Sequence, residues 1–140
     1  MIDRDPGWHD SGSTIESSIL NTRAAALAML DPAAAIPVVA EATVITDRLG
    51  AAAAKADQAL IAAYAARRLG ETDTARGLYR HLLAVAPFEA PFYSWMRRDL
   101  LAAFASADVG PEDLTPLALD RNELFAILVD LQQRHPVAGG

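Results

Sequence analysis

The chain has 140 residues, of which 52% are apolar, 21% charged and 6% aromatic, and its 12 basic and 18 acidic side chains leave a formal charge of −6. A chain this apolar is not disordered overall, and its length suits one domain with a real core. It has no cysteine, which excludes disulfides, thiolate metal sites, iron–sulfur ligation and a thiol nucleophile.

Residues 1–12 have no hydrophobic period and contain Asp3, Asp5, Pro6, Gly7 and Gly12. They read as a tail, carrying Trp8 and His9. A secretory signal needs a basic start and an unbroken apolar stretch, and this order is absent. No window reaches the ~18 apolar residues of a membrane span. The expectation is a soluble, cytoplasmic protein.

Alanine dominates, at 30 residues. It has the best helix propensity and loses no side-chain entropy. The predicted fold is therefore all-α. About six helices occupy residues 13–135, in a bundle or an irregular array of helical hairpins, and residues 136–140 fray. The first helix starts at Ser13, where Ser13 and Glu16 have capping-box spacing, and runs to about Leu30. Asp31-Pro32 ends it and opens the second, because aspartate caps well and proline suits the first helical position. Pro37 either kinks this helix or marks its true start.

Val38 to Thr46 is rich in β-branched residues and is the one stretch with strand character. Yet Ile36, Val39, Ala40, Thr43 and Val44 follow a helical stripe, and a lone strand has no partner in this chain. We read it as helix. The third helix spans about Ala51 to Leu69 and stops at Gly70, a left-handed cap. The fourth spans about Thr72 to Ala86. Its apolar stripe is Ala75, Leu78, Tyr79, Leu82, Leu83 and Ala86, and its other face carries Asp73, Arg76, Arg80 and His81. The fifth runs from about Pro91 to Ala105 with Phe92, Trp95, Met96, Leu100 and Ala103 on one side. Residues 110–119 form a loop or a short 3₁₀ turn. The last helix starts at Asp120, capped through Glu123, and ends near His135-Pro136.

The stretch Ala59 to Pro87 resembles one tetratricopeptide repeat. Gly70 stands at the inter-helix turn, Ala75 five residues on, Tyr79 nine on and Pro87 seventeen on. Glycine permits the tight turn, alanine lets the helices approach, the aromatic fills the groove and proline stops the second helix. Ala63 and Ala59 stand where the family usually has a glycine and a tryptophan. The pattern does not recur one period later, at Phe104, Val109 and Arg121. The resemblance implies a helical hairpin that presents a face to a peptide or another protein.

Little in the sequence points to catalysis. His9 lies in the tail and His135 at the C-terminal end, His81 has Gly77 and Val85 four residues either side and so no local carboxylate to orient it, and all three read as surface histidines. There is no His-Glu-x-x-His, no Glu-x-x-His pair for a di-iron bundle, no phosphate loop and no Gly-x-Ser-x-Gly elbow. Glu112 and Asp113 are explained by their place ahead of a helix. We expect no enzyme, no cofactor and no bound metal.

Charge is uneven. From Lys55 to Arg98 there are seven basic and four acidic residues, while the flanks hold five basic and fourteen acidic. This central excess reads as a solvated face, a patch for an acidic protein or a second copy of the chain, or a nucleic-acid surface. The sequence pI of about 4.9 argues against nucleic acid. Tyr, Trp and Arg dominate binding hot spots, and Phe88, Phe92, Tyr93 and Trp95 cluster beside Arg97 and Arg98. Helical spacing places Phe92 and Trp95 in the core and leaves Tyr93 as the exposed anchor. The expected partner-binding set is Arg76, Arg80, Tyr93, Arg97 and Arg98. It serves a non-enzymatic adaptor, chaperone-like or accessory subunit, which a homodimer would also suit. A helical bundle enclosing a small ligand, as in a sensor, and a transcriptional regulator are the alternatives.

Overall fold

The computed structural model describes residues 19–49, 52–85 and 93–137. These form six α-helices and one 3₁₀ turn, with no strand among them: α1 (residues 19–30), α2 (Pro32–Leu49), α3 (Ala52–Arg68), α4 (Thr72–Val85), α5 (Ser94–Ser106), the 3₁₀ turn (Pro111–Leu114) and α6 (Arg121–Arg134). No described helix is long and apolar enough to cross a membrane. The expected capping box at Ser13, the tail with Trp8 and His9, and Pro87, Phe88, Pro91 and Phe92 lie outside the described residues.

The all-α expectation holds, including the β-branched stretch. Val38 to Thr46 lies inside α2, which starts at Pro32 and continues through Pro37. Thr43 fits this helix by turning its hydroxyl back to the Val39 carbonyl, 2.8 Å away, the usual way a threonine satisfies itself mid-helix. Asp31 is the single non-helical residue between α1 and α2, and its carbonyl accepts from the Ala34 amide at 2.9 Å.

α3 occupies the centre, in contact with α2, α4 and α5. Every residue from Ala59 to Ala66 is buried. A helix covered on all sides must be apolar all round, and alanine does this while keeping neighbouring backbones close. The most extensive contact is with α4, which returns along α3 after the turn at Gly70. Gly70 has φ +83°, a conformation costly for any residue with a Cβ. The Gly70 amide donates to the Arg67 carbonyl at 3.0 Å and the Glu71 amide to the Ala66 carbonyl at 2.9 Å. This is the paired closure of a Schellman C-cap.

α4 buries Ala75, Leu78, Tyr79 and Leu82 as its stripe predicts, and His81 with them. α5 buries Met96, Leu100 and Phe104, with the Phe104 ring edge-on to Tyr79 at a centroid distance of 5.8 Å. α6 opens with the capping box read from Asp120 and Glu123: the Glu123 amide donates to Asp120 Oδ1 at 2.8 Å, and the Asp120 amide donates to Glu123 Oε1 at 3.0 Å. It buries Leu128 and Leu131 and packs on α2. Its far end is tied to the α3–α4 turn, where Glu71 meets Arg134 and, at 2.7 Å, His135 Nε2. These two partners hold the Glu71 carboxyl below the usual range.

Candidate functional site

A cavity of about 160 Å³ opens where four helices meet. α2 contributes Val39 and Thr43. α3 contributes Lys55, Gln58, Ala59 and Ala62. α4 supplies His81 and Val85. Leu119, just ahead of α6, and Arg121 and Leu124 within it complete the lining. Small residues on α3 leave the space: Ala59 and Ala62 stand where larger side chains would fill it.

The polar groups here are unusually deep. Gln58 is 3% exposed and His81 is 7% exposed, and buried polar side chains are tolerated when hydrogen-bonded. Gln58 Nε2 donates to Thr46 Oγ1 at 2.6 Å and reaches the Ala42 carbonyl at 3.4 Å. Gln58 thereby ties α3 to α2. The Thr43 hydroxyl is committed to Val39, so Gln58 Oε1, 3.4 Å from Thr43 Oγ1, has only a weak donor.

His81 is the more telling residue. The Leu119 amide donates to its Nδ1 at 2.9 Å. That bond requires Nδ1 to be bare, so neutral His81 carries its proton on Nε2. Burial first, and then the charge of Lys55, push its pKa below the ordinary 6.5. Acidification therefore costs stability: as pH falls through 6.5 the unfolded chain takes up this proton before the folded one does. Nε2–H has no acceptor among the described residues.

Among the described lining residues the charged side chains are basic. Lys55 is half-buried and no described carboxylate pairs with it, Arg121 stands over the Phe125 ring at 5.7 Å, and none of the described lining residues is acidic. Among the described residues no group of three or more His, Asp or Glu is arranged to hold a metal ion.

Asp57 precedes Gln58 on α3. Burial pushes its carboxyl from 3.8 up to about 6, and no described cation offsets this. The folded chain holds this proton more tightly than the unfolded chain, so Asp57 costs stability as pH rises from about 4 to above 6. The gap corresponds to at most about 3 kcal/mol, and partial solvation reduces that to about 1–2 kcal/mol. Asp57→Asn is expected to stabilise the chain by that amount at pH 8 and by nothing at pH 3.5. Urea unfolding at the two pH values measures both; an equal effect at both would place Asp57 in water.

The sequence-predicted partner residues are distributed differently from expectation. Arg76 pairs with Asp73 one turn away at 3.4 Å. Arg80 donates from Nε to the Thr115 carbonyl at 2.8 Å, and its own carbonyl accepts from the Leu117 amide at 3.1 Å. It thus anchors the segment that delivers Leu119 to His81. Arg97 donates to the Tyr79 hydroxyl at 2.9 Å and lies over that ring, joining α5 to α4. Arg98, on the same helix, is exposed.

Two aromatic assignments are reversed. Tyr93 is not an exposed anchor: it caps α5 in a left-handed conformation, φ 59°, and packs partly buried against the core. Trp95 is not core. It is 38% exposed, with the buried Tyr64 edge-on to it at 5.5 Å. Met96 and Leu100 face inward as the predicted stripe has them, and Phe104 joins them where Ala103 was expected, which leaves Trp95 at the margin of the buried face.

His81 also differs from its expected place on the outer face. Gln58, Thr43, Lys55 and Arg121 carried no motif at all. One signal was available for His81: it lies three residues after Leu78, on the flank of the apolar stripe, and a flank residue is buried when a neighbour covers it. No protein-family model matches this chain, and no curated protein or solved structure matches it either.

Proposed function

We propose that this chain is a non-enzymatic, small-ligand-binding helical domain, a sensor or carrier whose site is the cavity between α2, α3, α4 and α6. One observation carries the reading: two nearly fully buried polar side chains, Gln58 and His81, line a 160 Å³ space beside a half-buried Lys55. An apolar pocket with a few convergent polar groups and perturbed titration is where ligands bind. A cytoplasmic setting fits the cysteine-free chain. Thermal-shift screening of small molecules tests it. Compounds that raise the melting temperature of the wild type are expected to lose their effect on Ala59→Leu, which fills the cavity. Equal shifts in both proteins would place binding elsewhere.

A protein-partner role is the second reading, favoured by the outer face of α5. Trp95, Arg98 and Leu101 recur there at helical spacing, with Trp95 38% and Leu101 40% exposed. This pattern suits a partner segment with an acidic residue against Arg98 and apolar side chains on either side. The resemblance of Ala59 to Pro87 to a tetratricopeptide unit supports such a surface role. Arg80 and Arg97 are poor test positions because each holds the fold together, so Arg98→Glu is the clean reversal. In a Trp8→Phe background, an acidic-apolar peptide is expected to change Trp95 fluorescence, and Arg98→Glu to weaken that binding about tenfold. A basic peptide of equal hydrophobicity binding equally well would remove the charge argument.

A further inference from the structure

From the lining of the cavity we infer that its ligand is a small monocarboxylate with a short apolar body, the carboxylate received by the Lys55 ammonium and by His81 Nε2–H. This rests on the ligand-binding reading above and adds the chemical class.

The charge of the described lining favours an anion over a cation. The described lining holds the half-buried Lys55 and no acid, and Arg121 at its edge is already engaged elsewhere. A half-buried ammonium without a counterion is costly, and a bound anion would offset that cost. The histidine supplies the second donor. With Nδ1 occupied by the Leu119 amide, the ring presents one N–H to a ligand and no acceptor. A carboxylate has two oxygens to match one charged and one neutral donor, and hydrogen bonds to an ionised acceptor are shorter and about twice as strong as neutral ones. A phosphate carries more charge and more oxygens than these two donors satisfy.

The remaining wall is apolar: Val39, Ala59, Ala62, Val85 and Leu124. It leaves room for a body about the size of benzene, which fits an apolar cavity of about 150 Å³. Arg80 is a positioning residue for the site. Its guanidinium and carbonyl hold residues 115–117, and that segment carries Leu119 to His81.

The experiment is a titration of the full, isotopically labelled chain with butyrate and benzoate, with the matching amides butyramide and benzamide, and with benzylamine. The Leu119 amide and the His81 ring nitrogens are followed by NMR. The carboxylates are expected to shift both signals and to bind about tenfold tighter than their amides, the scale of one charge-assisted contact. Lys55→Met is expected to remove that preference and, by relieving the uncompensated ammonium, to hold or raise the melting temperature, so that loss of the preference is not loss of the fold. Amides or benzylamine binding as tightly as the carboxylates would overturn the anionic class and leave the ligand-binding reading standing. Carboxylate preference that survives Lys55→Met would overturn the assignment of Lys55. If no probe, charged or neutral, moves either signal, both the class and the reading beneath it fall.

Discussion

Phe104→Ala is expected to destabilise the protein by about 3–5 kcal/mol, the range for deleting a buried phenylalanine. Phe104 is among the largest fully buried side chains. It stands at the inner face of α5, edge-on to Tyr79 of α4, and such aromatic pairs contribute about 0.5–1.5 kcal/mol beyond area. Removing the ring costs its transfer free energy and leaves a void that helix backbones cannot close. Native domains are stable by only about 5–15 kcal/mol, so this variant sits close to unfolding at room temperature. Urea denaturation checks it: the midpoint is expected to fall sharply with the slope unchanged. A loss below about 1 kcal/mol, the scale of an ordinary substitution, would mean that α5 does not seat on the α3–α4 hairpin as described. Arg97, which bonds the Tyr79 hydroxyl from the same helix, would then be freed as well.

The second large effect has the opposite cause. Ala75→Leu adds three carbons at a position with no exposed surface, on α4 and within the core that α4 shares with α3. Overpacking a well-filled site costs about 1–3 kcal/mol, and more where backbones rather than side chains must yield. Alanine is present here because two helices approach closely along their length. The control is Ala102→Leu on the exposed side of α5, expected to stay within about 0.5 kcal/mol of wild type. Thermal unfolding of the two variants separates them. Ala75→Leu is also expected to disturb the Leu119 amide signal, because any displacement of α4 moves His81 with it. Indistinguishable stabilities would show that the hairpin has slack, and that its alanines reflect helix propensity rather than close packing.

Much of the fold is written in local chemistry. The Gly70 turn, the Asp31-Pro32 break and the Asp120–Glu123 capping box each satisfy orphan backbone groups within a few residues, so their sequence signatures are sufficient. Alanine content and the stripe at Ala75, Leu78, Tyr79 and Leu82 decide for helix by propensity and period alone. Even the β-branched Val38 to Thr46 follows this rule, because its stripe matches a helix and Thr43 satisfies its own hydroxyl on the preceding turn.

The candidate site is another matter, because a helical period fixes angular position but not which flanks a neighbour covers. His81 lies on the margin of the α4 stripe. It is buried because the segment before α6, held by Arg80, lands across it and donates the Leu119 amide. The same long-range packing gathers Gln58, Lys55 and Thr43 from two other helices around one space, with no motif linking them in sequence. It also engages Arg80 and Arg97 with Thr115 and Tyr79, and turns Trp95 outward while Tyr93 tucks in. Local sequence therefore determined that the chain forms these helices and where the breaks at Asp31, Gly70 and Asp120 fall, though not the start of α5. Tertiary packing decided which polar residues are enclosed, because burial depends on which elements meet, and those contacts join residues far apart in sequence, 38 positions for Leu119 and His81 and 64 for Glu71 and His135.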